Sequence, residues 1–305
     1  MNFEIKEIDK DILLLATYLQ DVDLNLLYID KRIPILLDTS YTSEIEELVQ
    51  GIRLPKIALV SHSHYDHAGG SGKLANLGVE IRSHPITKSL LSSTYTSIYS
   101  FFPHKYAKFL STKYTKEYYR YIRTELGYPK IHSTNFDDIH DIVEVVEGEG
   151  HVAGTLLFRI RNILFTSDGI QGEGIIGSSK TNAIPQISDI KKYLVTLQKV
   201  IKMNPEIIIP GHNYLPSNKR IIEGSEVDRF LNASIETVVK LISSAYDLLS
   251  SDFLSLGEFT ERLLKAFNVK QIYPQAFITS EALIKYFGNN VKIKKEGEIS
   301  LYKLD

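Results

Sequence analysis

Residues 61–70 read SHSHYDHAGG, so His62, His64, Asp66 and His67 fall within six positions and two glycines follow at once. The preceding run, KIALV, has the length and apolarity of a buried strand, which puts the cluster on the loop between that strand and the next helix. In an extended segment His62 and His64 point to one side, because side chains alternate with period two, while Asp66 and His67 lie beyond the strand end and can aim elsewhere. Neutral imidazoles and carboxylates gathered in this way can hold a metal ion with one position left for water. The spacing suits two ions side by side; the bland alternative is a solvated polar loop.

Composition narrows the chemistry. The 305 residues include no cysteine, which removes disulfides and thiolate ligands and leaves imidazole and carboxylate as the metal donors. A formal charge of −2 shows no bias toward nucleic acid or an anionic membrane. The start, MNFEIKEIDKDILLLATYLQ, mixes acidic and basic residues and lacks a long apolar run, so no signal peptide or membrane span is expected and the cytoplasm is the default location.

Short apolar runs at 12–19, 24–30 and 33–39 predict a strand meander, and Ser43 with Glu46 predicts a capping box for a short helix ending near Gly51. Further strands are expected at 79–84, 141–146, 155–160, 162–168 and 206–210. Amphipathic helices are expected over 103–127 and around 187–203. Strand clusters interleaved with helices imply an α/β protein with sheets sandwiched by helices. Beyond about residue 220 the chain turns helical. Ser225 with Asp228 and Ser255 with Glu258 mark helix starts, and VKIKKEGEISLYKL closes the chain as a hairpin. The expected division is a catalytic domain over 1–220, with a Tyr-rich helical insertion at about 86–130, and a helical, winged-helix-like extension over 221–305.

HSHYDH resembles the His-x-His-x-Asp-His signature of the metallo-β-lactamase-fold hydrolase superfamily. Three later pieces are similar to that family's segments in the expected order: EGEGHVAGTLLF supplies His151, ILFTSDG supplies Asp168 and IIIPGHN supplies His212. ILLDTS resembles the early strand that ends in a supporting aspartate, here Asp38. The resemblance spans about residues 10–215 and implies an αββα sandwich with the site at one edge between the sheets. It further implies that His62, His64 and His151 hold one ion, that Asp66, His67 and His212 hold a second, and that Asp168 bridges. Zn2+ is the default metal and two ions are expected, with iron or manganese suited to the same donors. The implied activity is hydrolysis by water that two cations bring toward hydroxide. Asp66 is the catalytic residue that orients this water and relays its proton, and Asp38 accepts a hydrogen bond from a ligand histidine.

The substrate is less constrained. Eight of the 18 tyrosines lie between 86 and 130, with eight Lys or Arg against Glu117 and Glu125. Beside the site this segment would form a lid resembling those of lactonases and glyoxalase-II-like thioesterases. The alternative is that the Tyr stripe is simply the buried face of a helix. A small ester, thioester or lactone is therefore the leading substrate. A nuclease or phosphodiesterase comes second, because residues 225–305 hold 11 acidic and 10 basic residues where a nucleic-acid reader would be visibly basic. A mononuclear-iron persulfide dioxygenase and a binding module without catalysis follow. The tail is expected to pack on the core or to mediate homo-oligomerisation. Of the remaining histidines, His84 is the one expected to come nearest the pocket.

Overall fold

A computed structural model describes residues 3–19, 22–176 and 182–305. The first sheet has the order β1 (Phe3–Asp9), β2 (Ile12–Leu19), β3 (Val22–Ile29), β4 (Ile35–Leu37), β5 (Ile57–Val60), β6 (Glu80–Ser83). It is antiparallel as far as β4 and parallel from β4 to β6. Short helices α1 (Ile45–Gln50), α2 (Tyr65–Ala68) and α3 (Ser71–Asn76) lie in the crossovers. The 86–130 segment contains α4 (Pro85–Leu90), α5 (Thr94–Phe101) and α6 (Thr112–Leu126). In the second sheet β7 (Glu144–Glu147), β8 (Leu156–Ile160) and β9 (Ile163–Ser167) run antiparallel. A two-residue ribbon, β10 (Ile175–Ile176) with β11 (Asn182–Ala183), follows, then α7 (Ile190–Met203). β12 (Ile207–Pro210) pairs parallel with β9, and β13 (Ile222–Glu223) forms the edge. The chain ends in α8 (Ser225–Ser251), β14 (Leu254–Ser255), α9 (Leu256–Ala266), α10 (Pro274–Phe287) and the hairpin β15 (Val291–Glu296), β16 (Ile299–Leu304).

Period-two alternation divides each strand between two apolar layers. Leu27 and Ile29 of β3, Leu37 of β4 and Leu59 of β5 face Phe158, Phe165 and Ile209 of the second sheet, forming the core between the sheets. Leu26, Tyr28, Leu36 and Val60 point the other way and pack under α1 and α3. On the second sheet Leu157, Leu164 and Ile208 take Tyr193, Leu197 and Val200 of α7. The result is the αββα sandwich expected from the sequence. Among the described residues no helix is long and apolar enough to cross a membrane.

The C-terminal helices continue the outer layer rather than standing apart. Val227, Phe230, Leu231 and Val238 of α8 join the α7 layer, and Phe259, Leu263 and Leu283 of α9 and α10 extend it. Phe277 of α10 stacks on Tyr106 and Phe109 of the insertion, with ring centroids 5.4 and 4.7 Å apart. Local expectations fared unevenly. The Ser255–Glu258 capping box is present. Ser43 instead donates from Oγ to Glu125 Oε2 at 2.6 Å, and α1 starts at Ile45 without a side-chain cap. α8 is preceded by Gly224 and is likewise uncapped by a side chain. The single helix expected over 103–127 is two elements, a 3-10 turn (His104–Phe109) and α6, because Ser111 accepts the Tyr114 backbone N–H and starts a new helix. His84 caps α4 by accepting the Ile86 N–H, and it does not line the central cavity.

Candidate metal centre

β5, β9 and β12 end at the same edge of the sandwich, and each delivers part of one cluster. Past Val60 the chain bends at His62 and Ser63 and, after an extended His64, turns into α2, which carries Asp66 and His67. Asp168 follows the last residue of β9, and His212 follows β12 by two residues. Two backbone bonds lace the sheets together here: Leu156 N–H donates to Ser61 O (2.9 Å) and Asn25 N–H to Gly211 O (2.8 Å). The glycines of SHSHYDHAGG serve close approach, since their backbone angles are ordinary helical ones. A Cβ on Gly69 would overlap Glu125 O, and one on Gly70 would overlap Thr39 O.

The structure brings all seven expected residues together. His62, His64, His151 and Asp168 form one group and Asp66, His67 and His212 another, with the donor atoms of each group within 4.8 Å of one another. Asp168 Oδ2 stands between them, 3.9 Å from His62 Nε2, 3.6 Å from His151 Nε2, 3.5 Å from His67 Nε2 and 3.6 Å from His212 Nε2. Asp66 Oδ2 lies 3.3 Å from His212 Nε2. All seven side chains are buried.

Hydrogen bonds on the far side of the rings fix which nitrogen faces inward. His67 Nδ1–H donates to Asp38 Oδ2 (2.7 Å), His151 Nδ1–H to Gln186 O (2.9 Å) and His212 Nδ1–H to Asp23 O (2.6 Å). His62 Nδ1–H donates to Ser61 Oγ (2.9 Å), which donates in turn to Asp38 Oδ2 (2.9 Å). Each of these four rings therefore turns an Nε2 lone pair inward. His64 is reversed, with Nδ1 facing His151 Nε2 at 3.0 Å. Asp38, placed at the end of β4 as expected, is wholly buried and also accepts Ser61 N–H (2.7 Å) and Ser167 Oγ–H (2.8 Å).

These donors fit a cation. Nε2 of His62 and His67 and Oδ1 of Asp66 and Asp168 are buried without a hydrogen-bond partner, a cost that a cation would remove. Nε2 of His64 is likewise buried without a partner, while its Nδ1 makes a hydrogen bond with His151 Nε2 at 3.0 Å. Burial, followed by neighbouring rings, holds His62 and His64 well below the usual imidazole range, and burial against the pull of Asp168 lowers His151. Burial also acts to lower His67 and His212, but the surrounding carboxylates, led by Asp168, outweigh it and raise both. Asp168 goes well below the usual carboxylate range, since His212 and His67 overcome its burial. Three buried carboxylates thus demand positive charge, which protons on His67 and His212 or a bound cation can provide.

Over the cluster lies a cavity of about 350 Å³. Part of its wall comes from the Tyr-rich insertion, one of the two placements expected for that segment, and part from around the start of α10, which the sequence did not assign to the site. Tyr114, Tyr118 and Tyr121 line it from α6, and Gln271, Tyr273 and Gln275 line it from the start of α10. The spacing of the three tyrosines puts them on one helical face, which was the available signal. Ser61, Ser167, Gln171 and Gln186 also escaped notice, although the two serines are sequence neighbours of ligands.

A family model described as the metallo-beta-lactamase superfamily matches residues 25–212. The crystal structure of a beta-lactamase domain protein from Burkholderia ambifaria superposes with a TM-score of 0.71 at 15% identity, covering 99% of this chain and 94% of that one. DIM-1 metallo-beta-lactamase gives 0.54 at 17% identity over 77% and 98% of the two chains. A metallo-beta-lactamase from Pontibacter korlensis gives 0.52 at 17% over 78% and 99%. At such identities the likeness concerns the fold alone. Among curated protein sequences none matches the chain. The matched span takes in more than half of the chain and every residue of the cluster, and the chain belongs to the metallo-beta-lactamase superfamily.

Proposed function

We propose that this metal-dependent hydrolase cleaves a small ester, thioester or lactone, with zinc at two adjacent sites. The observation that carries the reading is the convergence of seven buried donors, several left without partners, with His64, Asp66, His151, Asp168 and His212 on the floor of a half-enclosed cavity of small-molecule size. In this reading His62, His64 and His151 hold one ion, Asp66, His67 and His212 hold the second, and Asp168 bridges. Zinc bound there would supply Lewis acidity toward the carbonyl and bring the pKa of water toward neutrality.

The chain's own groups do the rest. Asp66 lines the cavity with Oδ1 free of other bonds, so it can orient water, accept its proton and return that proton to the leaving group. Asp38 holds the His67 ring in the tautomer that turns Nε2 inward, and Gln186 O does so for His151. Walls of Tyr and Gln position the substrate. Among the described residues lining the cavity none is Lys or Arg, which supports a carbonyl substrate over a phosphodiester.

Metal analysis of the purified protein should give about two Zn per chain, the number of donor groups that carry Asp168 between them. A panel of lactone, thioester, phosphodiester and RNA substrates should then yield turnover on the first two, abolished in Asp66→Asn. One Fe per chain would overturn the binuclear reading, RNA cleavage would overturn the carbonyl substrate, and unchanged turnover in Asp66→Asn would remove Asp66 from the chemistry.

A further inference from the structure

The cavity has two unlike halves. The floor carries all the charge that the described lining residues contribute: His64, Asp66, His151, Asp168 and His212. The opposite wall, from α6 and the start of α10, is uncharged and consists of phenol rings and carboxamides. The two elements are tied across it, since Gln275 Nε2–H donates to Tyr118 OH at 2.6 Å. Behind the tie the insertion and α10 are locked together. Glu281 of α10 accepts from Lys105 Nζ (2.6 Å) and Tyr106 OH (2.9 Å), and Phe277 fills the space between Tyr106 and Phe109. A wall so fixed is a formed surface rather than a loose lid.

Tyr121 of this wall and Tyr41 beside it also line the cavity, and among the described residues neither hydroxyl has a hydrogen-bond partner. Each can donate to an acceptor that enters.

We propose that this wall seats the non-reacting part of an uncharged carbonyl substrate, an apolar chain bearing acceptor oxygens, and that Tyr118 and Gln275 are specificity determinants of the site. The proposal rests on the hydrolase reading above and sharpens its substrate class. An anionic tail placed there would lose its water next to rings and carboxamides, with no Lys or Arg among the described lining residues to meet it.

The test measures binding, so it does not depend on turnover. Isothermal titration of the zinc-loaded protein compares the 4-nitroanilide of octanoic acid with the mono-4-nitroanilide of suberic acid, which ends in a carboxylate. The wild type should bind the neutral compound at least about tenfold tighter, the scale expected for an unpaired charge taken out of water. Gln275→Lys should shrink or invert that ratio. Gln271→Lys, at an exposed position on the same wall, does so by the same logic should Gln275→Lys fail to fold. Tyr128→Ala, at a side chain 86% exposed and away from the cavity, should leave the ratio unchanged. Equal affinities in the wild type, a preference for the carboxylate, or a ratio that neither lysine moves would overturn the proposal. Turnover of 4-nitrophenyl acetate by the wild type is read separately. Its absence would count against the hydrolase reading while the binding ratio still decided the seat.

Discussion

Asp38→Asn tests whether the outer hydrogen bonds govern the metal centre. The carboxylate accepts four hydrogen bonds in a fully buried position: Oδ1 takes Ser61 N–H, and Oδ2 takes Ser61 Oγ–H, Ser167 Oγ–H and His67 Nδ1–H. An Asn amide placed at Oδ2 would set a donor against three donors. The side chain should therefore turn its NH2 toward Ser61 N–H, losing one bond and demoting the other three from charge-assisted to neutral. Losing a buried backbone partner costs about 1–3 kcal/mol and each demotion about 1 kcal/mol, which gives about 4–6 kcal/mol of stability. Asn tolerates the positive φ of 63° at this position, so the backbone contributes little to the loss. His67 keeps its tautomer but faces a neutral acceptor, and the affinity of the Asp66, His67 and His212 group should fall about 10- to 100-fold. Competition against a graded series of chelators should show the second zinc weakened more than the first, whose His62 reaches Asp38 only through Ser61 Oγ, and urea unfolding with excess chelator reads the stability term alone. Two equally weakened ions, or a second ion bound as tightly as in the wild type, would refute the argument that Asp38 acts through His67.

Glu44 gives a test by pH. Burial raises its pKa above the ordinary 4.5 despite hydrogen bonds from Thr17 and Ser40. The folded state therefore holds a proton that the unfolded chain has released, and the associated stability is present below about 4.5 and lost as pH rises through the raised value. In urea unfolding, Glu44→Gln should gain on the wild type as pH rises from 4.5 toward neutrality; a pH-independent difference would rule this out. Gly211→Ala should lower zinc affinity with little change in far-UV circular dichroism, because the new Cβ would lie 2.5 Å from Asp168 Oδ1 and 2.9 Å from His67 Cε1. Unchanged zinc content at limiting metal would contradict it. Thr279→Val should cost about 2–4 kcal/mol, since buried Thr279 Oγ1 accepts Ile187 N–H and donates to Pro185 O. It should also weaken zinc at the His151 group, whose Gln186 acceptor lies between those two residues; a stability loss with metal affinity intact would separate α10 from the site.

What the sequence disclosed and what it concealed follow from the kind of group each role requires. A metal ligand must be one of a few residue types, so His62, His64, Asp66, His67, His151, Asp168 and His212 are visible by identity and order alone. Asp38 came from the resemblance of ILLDTS to the family's early strand, and the four donors it collects appear only in the fold. The groups that orient His212 and His151 are Asp23 O and Gln186 O, main-chain carbonyls that any residue supplies, and no side-chain pattern can reveal them. The tyrosines pose a different difficulty. Helical spacing shows that Tyr114, Tyr118 and Tyr121 share a face but not what that face meets, and nearby Phe101, Phe102, Tyr106 and Ile122 are core residues packed on Phe277 and Ile278. A core and a cavity wall demand the same aromatic mass. They differ only in whether the polar atoms find partners, which depends on segments more than 100 residues apart in the chain: Gln275 satisfies Tyr118, whereas Tyr41 and Tyr121 are left open. The C-terminal helices follow the same logic. Read by period, the stripe through Val227, Phe230 and Val238 is only an apolar face. In the fold it continues the α7 layer, and this contact is what carries α10 to the edge of the site. The metal-donor candidates in this chain are therefore legible by residue type, while the residues that would choose a substrate are assembled by packing between distant segments and come into view only with the fold.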